Sequence, residues 1–509
     1  MPLEEIAKIA RMTMSKLVFA AMMLPVFARG GVFQGESCQR CHTGIRDAAP
    51  RRRLSVPAKE DLHDVIVVGG GVAGLTAAYK LKDLDVLVLE KEDAAGGKVR
   101  RELWGHARYP VAAGYMSQVY LKDIADIFGA LDIKGDVIPE PGNSLFSGPG
   151  KGIVDDPFGK GLEKLSEPDD VKAALKRLKA DMDAMGKGGD VGQVPPVPAP
   201  EQMNEVQRAL DKQSFWDYMD GKYGRRVAEF SDRYSKSLFG VEARKVSAWT
   251  GLVYFSADFG DGANITWDGG PGVISEKLAQ ALAGSVRLGA LVTAVIPDET
   301  GVTVEYELRG KRARARAKSV VVAVPSFVAK RIVVGLPRWK KDALASTRYS
   351  AYAVAIVALD KSLYHQSFDL WSDSTTVFTD LEPLDWGRTP ETGPGTPAQI
   401  LEAFVPLGED DGRHVFLKTP DEKIAAKVKA GLERIFPEAK SALHGIRVIR
   451  WGHAMPIDYP GYLSDKRPNV MKAVGRLSFA GVDTEMPCIE GAMVSGVRAA
   501  SEARASASR

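Results

Sequence analysis

Asp64-Val-Ile-Val-Val-Gly69-Gly70-Gly71-Val72-Ala73-Gly74-Leu75-Thr-Ala-Ala-Tyr-Lys-Leu81 decides the fold. A short run of branched apolar residues, wanted by a strand buried on both faces, gives way to four glycines and then to apolar residues at helical spacing. The segment reads strand, tight turn, helix. Asp85-Val-Leu-Val-Leu-Glu90 follows as a second buried strand ending in an acid, which completes one βαβ unit over 64–90. Gly69, Gly71 and Gly74 fit G-x-G-x-x-G. With 51 glycines in 509 residues that pattern alone is unremarkable, but here it joins a strand to a helix, and Glu90 stands 21 residues after Gly69. Glycines at these positions let the backbone approach a pyrophosphate, Val72 and Ala73 open the helix whose free amides face it, and the acid reaches a ribose hydroxyl. The unit is a dinucleotide cradle.

Working outward, the length calls for two or three structural units. The 45% apolar and 26% charged composition is that of an ordinary globular protein, and 68 basic against 65 acidic residues give no electrostatic reason to expect nucleic acid or an anionic membrane as partner. The expected fold class is α/β, a Rossmann-like dinucleotide-binding domain with a discontinuous α+β substrate domain. The nucleotide-binding parts are assigned to 61–135, 265–330 and 446–509. A helical insertion at 136–264, flanked by Gly- and Pro-rich loops, and a second stretch at 331–445 make up the substrate domain. Val302-Thr-Val-Glu-Tyr306 and Ser319-Val-Val-Val-Ala-Val-Pro325 read as a meander returning to the buried sheet, Tyr352–Asp360 as another apolar strand, and Gly475–Ala500 as strand, loop, helix.

Two further stretches bring in a family. Glu90-Lys-Glu-Asp-Ala-Ala-Gly96-Gly97-Lys98 resembles the acid and Gly-Gly-Arg of FAD-dependent amine oxidases, protoporphyrinogen oxidases and phytoene-type desaturases. Phe479-Ala-Gly481-Val-Asp483 with Glu490-Gly491-Ala492-Met-Val-Ser-Gly496 is similar to their C-terminal flavin motif. The resemblance implies bound FAD. It places Gly97 and Lys98 near the phosphates, Gly481 and Asp483 at the ribityl or pyrophosphate region, and the amides of Gly491 and Ala492 over the ring carbonyls. Val292 stands where the family contacts adenine through its backbone. Lys98 replaces an arginine, keeping the charge but losing its planar fork. Asp483 stands where glutamate is common. The strand Tyr352–Asp360 lacks the lysine that many amine oxidases carry there, and Cys488 takes the place of their flavin-facing aromatic. Trp451, Tyr459 and Cys488 are the substrate-side candidates. Each is read equally well as a core side chain, Cys488 as a small buried hydrophobe, and no catalytic residue is assigned.

Cys38-Gln-Arg-Cys41-His42 carries a separate signal. With 3 Cys and 7 His in the chain, C-x-x-C-H arises by chance about 0.0003 times. Two thiols at this spacing can add to the vinyl groups of one porphyrin while His42 lies beneath the iron, a c-type haem attachment. A redox dithiol or an incomplete zinc site stays open. Upstream, Lys16 precedes Leu17-Val-Phe-Ala-Ala-Met-Met-Leu-Pro-Val-Phe-Ala28, twelve mostly apolar residues ending in a small-residue site. It is read as a signal peptide over 1–28, with 29–60 as haem segment and linker, and it is too short for a comfortable span of about 20 residues. The expectation is a periplasmic protein with no transmembrane span in its mature chain, cytoplasmic if that leader is misread.

The function expected from all this is dehydrogenation of a small organic substrate by hydride transfer to flavin, with electrons leaving through a c-type haem to a cytochrome or quinone acceptor. Three alternatives remain: an isoprenoid or carotenoid-type desaturase or isomerase, an amine oxidase, and a non-enzymatic flavin and haem electron carrier.

Overall fold

The computed structural model describes Gly35 and residues 61–508, apart from 118–121, 139–141, 149, 151, 187–190, 192–196, 260–263 and 386–392. Two seven-stranded sheets organise the molecule. The first is built on Asp61–Val68, which pairs in parallel with Val86–Leu89 on one side and with Lys311–Val322 on the other. Val65, Ile66, Val67 and Val68 are all buried because both faces of this strand are covered. Alternation sends Val65 and Val67 into the core shared with the helices Val72–Lys80 and Ile489–Ala507. It sends Ile66 and Val68 into the core under the antiparallel meander Ala290–Pro297 and Val302–Leu308. The two helices touch closely at Gly496, where a Cβ would stand 2.4 Å from the Ala73 carbonyl oxygen. Leu477–Phe479 joins the far end of Lys311–Val322 in parallel, which brings the C-terminal motif beside the N-terminal one.

The second sheet runs in the order Leu443–Trp451, Ala351–Leu359, Gln399–Gly408, Asp380–Pro383, Asp369–Trp371, Asn143–Phe146, Ile153–Asp155. All nine residues of Ala351–Leu359 are buried, as expected for a strand paired on both sides. The stretch read as a helical insertion thus also supplies the last two strands of this sheet, Asn143–Phe146 and the edge strand Ile153–Asp155, too short and too weakly alternating to stand out in the sequence. Its helices, among them Asp169–Gly186, Arg225–Phe239 and Ala248–Phe259, enclose an aromatic core with Phe215, Phe239, Trp249 and Phe255. Among the described residues no helix is long and apolar enough to cross a membrane.

Candidate active site

The strand and helix of the βαβ unit are joined by a turn that only glycine fits. Gly69 has φ +106°, and a Cβ there would lie 2.4 Å from the Ala323 oxygen; one on Gly74 would lie 2.0 Å from the Gly69 oxygen. Gly71 is different, with no atom within 4 Å of its Cβ position. Glu90, at the end of its strand, is buried. Its Oε2 accepts the Gly70 amide at 2.7 Å and its Oε1 the Glu92 amide at 2.8 Å. Burial pushes its carboxyl up and the two amides pull it back. The Gly96 amide donates to the Gly70 carbonyl at 2.7 Å, and a Cβ on Gly97 would touch the Gly71 Cα at 3.3 Å, so the second loop is laced to the first. The backbone left open at Gly71, the helix start at Val72 and Ala73 and the fixed carboxylate fit a dinucleotide.

Lys98 does more than the sequence suggested. Its ammonium donates to the carbonyls of His453 at 2.6 Å and Ala454 at 2.5 Å, which ties the cradle to the loop after the strand Leu443–Trp451. Gly481 has φ +127°, no atom within 4 Å of its Cβ position, and an amide given to Ser495 Oγ at 2.8 Å. Asp483, which the resemblance places at the ribityl or pyrophosphate region, is held by one of its oxygens within the protein. Its Oδ2 accepts the Ser326 amide at 2.5 Å and the Tyr349 hydroxyl. Gly491 and Ala492 lie in the first turn of Ile489–Ala507, whose N-cap is Cys488: the thiol accepts the Gly491 amide at 3.2 Å. Val292 is buried opposite Tyr306, where the strand pairing shifts register before Ala294. Cys38, Cys41 and His42 lie outside the described residues.

A cavity of about 350 Å³ runs from Gly71 and Lys98, past Gly481, Cys488 and Glu490, to Tyr352, Phe404 and Trp451 on the second sheet. Of the substrate-side candidates, Trp451 and Cys488 line it. Trp451 is held by its indole N–H to the Val111 carbonyl at 2.9 Å. Tyr459 does not line it: its hydroxyl donates to the Ser346 carbonyl at 3.1 Å and Arg348 lies over its ring, so the phenol is spent on packing a loop. Glu490, read only as part of a motif, accepts the Ser117 amide at 2.9 Å, and burial pushes its carboxyl up to about 7. Burial and the adjacent Glu490 together push the Cys488 thiol well above its ordinary range. Iodoacetamide at about neutral pH is therefore expected to leave Cys488 unmodified in the native protein and to label it only after denaturation, read by peptide mass spectrometry; rapid native labelling would show a thiolate there.

The residues that sequence reading missed are acids. Asp258, Asp380 and Glu382 line the far wall of the cavity, with Glu402 across the strand pair from Glu382. The signal was present: Glu402 interrupts Gln399-Ile-Leu-Glu402-Ala-Phe-Val405, a run that otherwise reads as a fully buried strand.

These features define an FAD-binding oxidoreductase. Residues 72–504 match the family of flavin-containing amine oxidoreductases, and the chain belongs to it. Oxidoreductase PigB of Serratia sp. is 24% identical over 366 residues, covering 60% of this chain and 53% of PigB. The L-amino acid dehydrogenase of Synechocystis sp. is 25% identical over 283 residues, covering 54% and 58%. The chain thus spans little more than half the length of these relatives. Flavin-containing amine oxidase B of Cavia porcellus is 24% identical over 469 residues, with 86% of this chain and 85% of that one covered. Among solved structures, putrescine oxidase bound to putrescine superposes with a TM-score of 0.68 at 21% identity, covering 87% of this chain and 99% of that one. A fatty acid isomerase from P. acnes gives 0.63 at 15%, covering 88% and 99%. Likeness at this level establishes the fold.

Proposed function

We propose that the protein dehydrogenates an amine at the carbon next to nitrogen and passes the electrons, one at a time, to a c-type haem attached at Cys38 and Cys41 with His42 as axial ligand. The observation that carries the amine reading is the acid-lined wall of a cavity that opens on the dinucleotide cradle. Bound FAD supplies the hydride acceptor. The chain's own part is to hold the cofactor through Gly71, Glu90 and the first turn of Ile489–Ala507, to orient substrate between Trp451 and Cys488, and to exclude water. Departure of a hydride from the carbon leaves an iminium, which water converts to a carbonyl compound and a free amine. A haem held by Cys38, Cys41 and His42 would supply one-electron transfer from the reduced flavin toward an external cytochrome or quinone. Support for the haem is the Cys38-Gln-Arg-Cys41-His42 motif itself; Gly35, just before it, forms a parallel bridge with Arg450, the residue before the cavity-lining Trp451. A Cβ on Gly35 would clash with the Arg450 oxygen at 2.0 Å, so the chain three residues before Cys38 is seated against the substrate sheet. Haem attachment of this kind, with the leader over 1–28, goes with a periplasmic location.

The test is a visible spectrum and a haem stain after denaturation, on full-length protein made in a host that matures c-type cytochromes. Covalent haem that is reduced after anaerobic addition of a substrate amine is the expected result. Flavin bleached by amines in a protein without covalent haem would remove the haem and periplasmic parts and leave the amine reading standing.

A further inference from the structure

Charge is balanced over the whole chain, 68 basic against 65 acidic residues, yet residues 326–341 carry five basic side chains and no acidic one. This stretch forms the helix Ser326–Ile332, a turn, and the start of the helix Arg338–Ser346. One of the five points inward. Lys340 is fully buried, and its ammonium donates to the carbonyls of Asn469 at 3.1 Å, Val470 at 2.5 Å and Lys472 at 2.7 Å, around the end of the helix Arg467–Met471. The turn is fixed as well: the Val334 amide donates to the Val295 carbonyl at 2.9 Å, and Ile332, Val333 and Leu336 are buried in the core under the meander. On this anchored backbone Val334 and Trp339 are left 50% and 41% exposed.

Cations surround the two apolar side chains. Lys330 and Arg331 close the first helix, Arg338 and Lys341 open the second, all four are exposed, and Lys472 stands over the Trp339 ring at 5.6 Å. Asp342 lies 3.7 Å from Arg338, while Lys330, Arg331 and Lys341 have no ion-pair partner among the described residues. A protein partner covers such a tip with an apolar core from which charge, and lysine above all, is depleted. Here each apolar side chain is bordered by a basic one, which leaves no room for that core. A bilayer surface has the opposite requirement. Tryptophan settles at the level of the headgroups, and long basic side chains lay their stems on apolar surface while their heads reach phosphates. Each lysine or arginine near an anionic surface strengthens the attachment by about fivefold.

We propose that this tip is a docking surface for an anionic lipid bilayer, with Val334 and Trp339 seated among the headgroups and the surrounding lysines and arginines against their phosphates. The attachment is peripheral and reversible. It needs no spanning helix, because the apolar area offered is small and the charges supply the rest. Lipid charge and ionic strength both control it, since exposed cations are screened by salt.

The experiment is flotation of the FAD-loaded full-length protein with vesicles of phosphatidylcholine alone, and of phosphatidylcholine with about 40% phosphatidylglycerol, at about 0.1 M and about 0.5 M salt. The anionic vesicles are expected to bind the wild type about tenfold more strongly or better, and to lose most of that advantage at the higher salt. Two sets of substitutions are each expected to weaken binding to the anionic vesicles by about tenfold or more: Val334→Ser with Trp339→Ser, and Lys330→Gln, Arg331→Gln, Arg338→Gln with Lys341→Gln. All six side chains are exposed, so flavin content should be unchanged and the melting temperature should stay within about 2 °C of the wild type. A wild type that ignores anionic vesicles overturns the proposal and leaves the tip to an acidic protein. Binding that neither set lowers overturns it too, as would follow if the apolar run at 17–28 held the protein by itself. A loss from the charge set alone would mark diffuse attraction and overturn the seating of Val334 and Trp339.

Discussion

Replacing Gly71 with valine is expected to give a folded protein that purifies with less than about a tenth of the wild-type flavin, a loss of at least about 1.4 kcal/mol in binding. The asymmetry among the glycines is the reason. Gly71 has φ −70° and ψ 172°, extended backbone that valine adopts freely, and nothing within 4 Å of its Cβ position. Its side chain would enter the space where backbone and pyrophosphate meet. Gly74→Val makes the contrast, because its Cβ would run into the Gly69 carbonyl oxygen at 2.0 Å. A backbone atom cannot rotate away, so this variant should lose flavin and in addition about 1–3 kcal/mol of stability. Flavin-to-protein absorbance of the purified proteins and thermal melts in excess FAD separate the two effects. Full flavin occupancy in Gly71→Val would mean that the phosphates do not pass over residue 71.

The two halves of this molecule were unequally legible in the sequence. The cradle is local: strand, turn, helix and acid lie within 64–90, and contacts inside that stretch, such as Gly74 against Gly69 and Glu90 on Gly70, fix several of its residue types. The C-terminal motif is equally compact. The acid wall is the opposite case. Asp258, Asp380, Glu382 and Glu402 are spread over nearly 150 residues, and only the register that sets Glu382 against Glu402 brings the last two together. No periodicity reports a cross-strand pair between distant strands. Tyr459 and Asp483 show another limit. Both side chains are polar and lie near motifs, yet their hydrogen bonds go to Ser346, Ser326 and Tyr349, and a sequence does not say which of several nearby partners a phenol or carboxylate will take. The strands Asn143–Phe146 and Ile153–Asp155 were hidden by their length, since three or four residues carry too little alternation to be read.

Arg467→Met is expected to lower stability by about 3–5 kcal/mol and the apparent melting temperature by ~5 °C or more. Arg467 is fully buried. Its guanidinium donates to the Thr484 carbonyl at 3.0 Å and pairs with Glu485 at 3.3 Å, and Glu485 in turn accepts the Val197 amide at 2.6 Å. Asp458 also feels this positive charge; burial pushes its carboxyl up to about 8 and Arg467 holds it back. Methionine fills the volume but takes the nearest positive charge from two buried carboxyl groups, Asp458 and Glu485, leaving Glu485 only the weaker field of Arg498. Their native-state affinity for protons, already raised, rises further. A native state that binds more protons than the unfolded chain loses stability as pH increases, so the deficit of Arg467→Met should be smaller near pH 5.5 and grow through about pH 8. The residues pinned by Arg467 adjoin Gly481 and Cys488, so flavin should leave the variant at a temperature below its unfolding transition, visible as flavin fluorescence appearing before the loss of helical signal. A variant that melts within about 2 °C of the wild type across this range would show that Glu485 and Asp458 are neutral in the native protein and that Arg467 contributes little beyond packing.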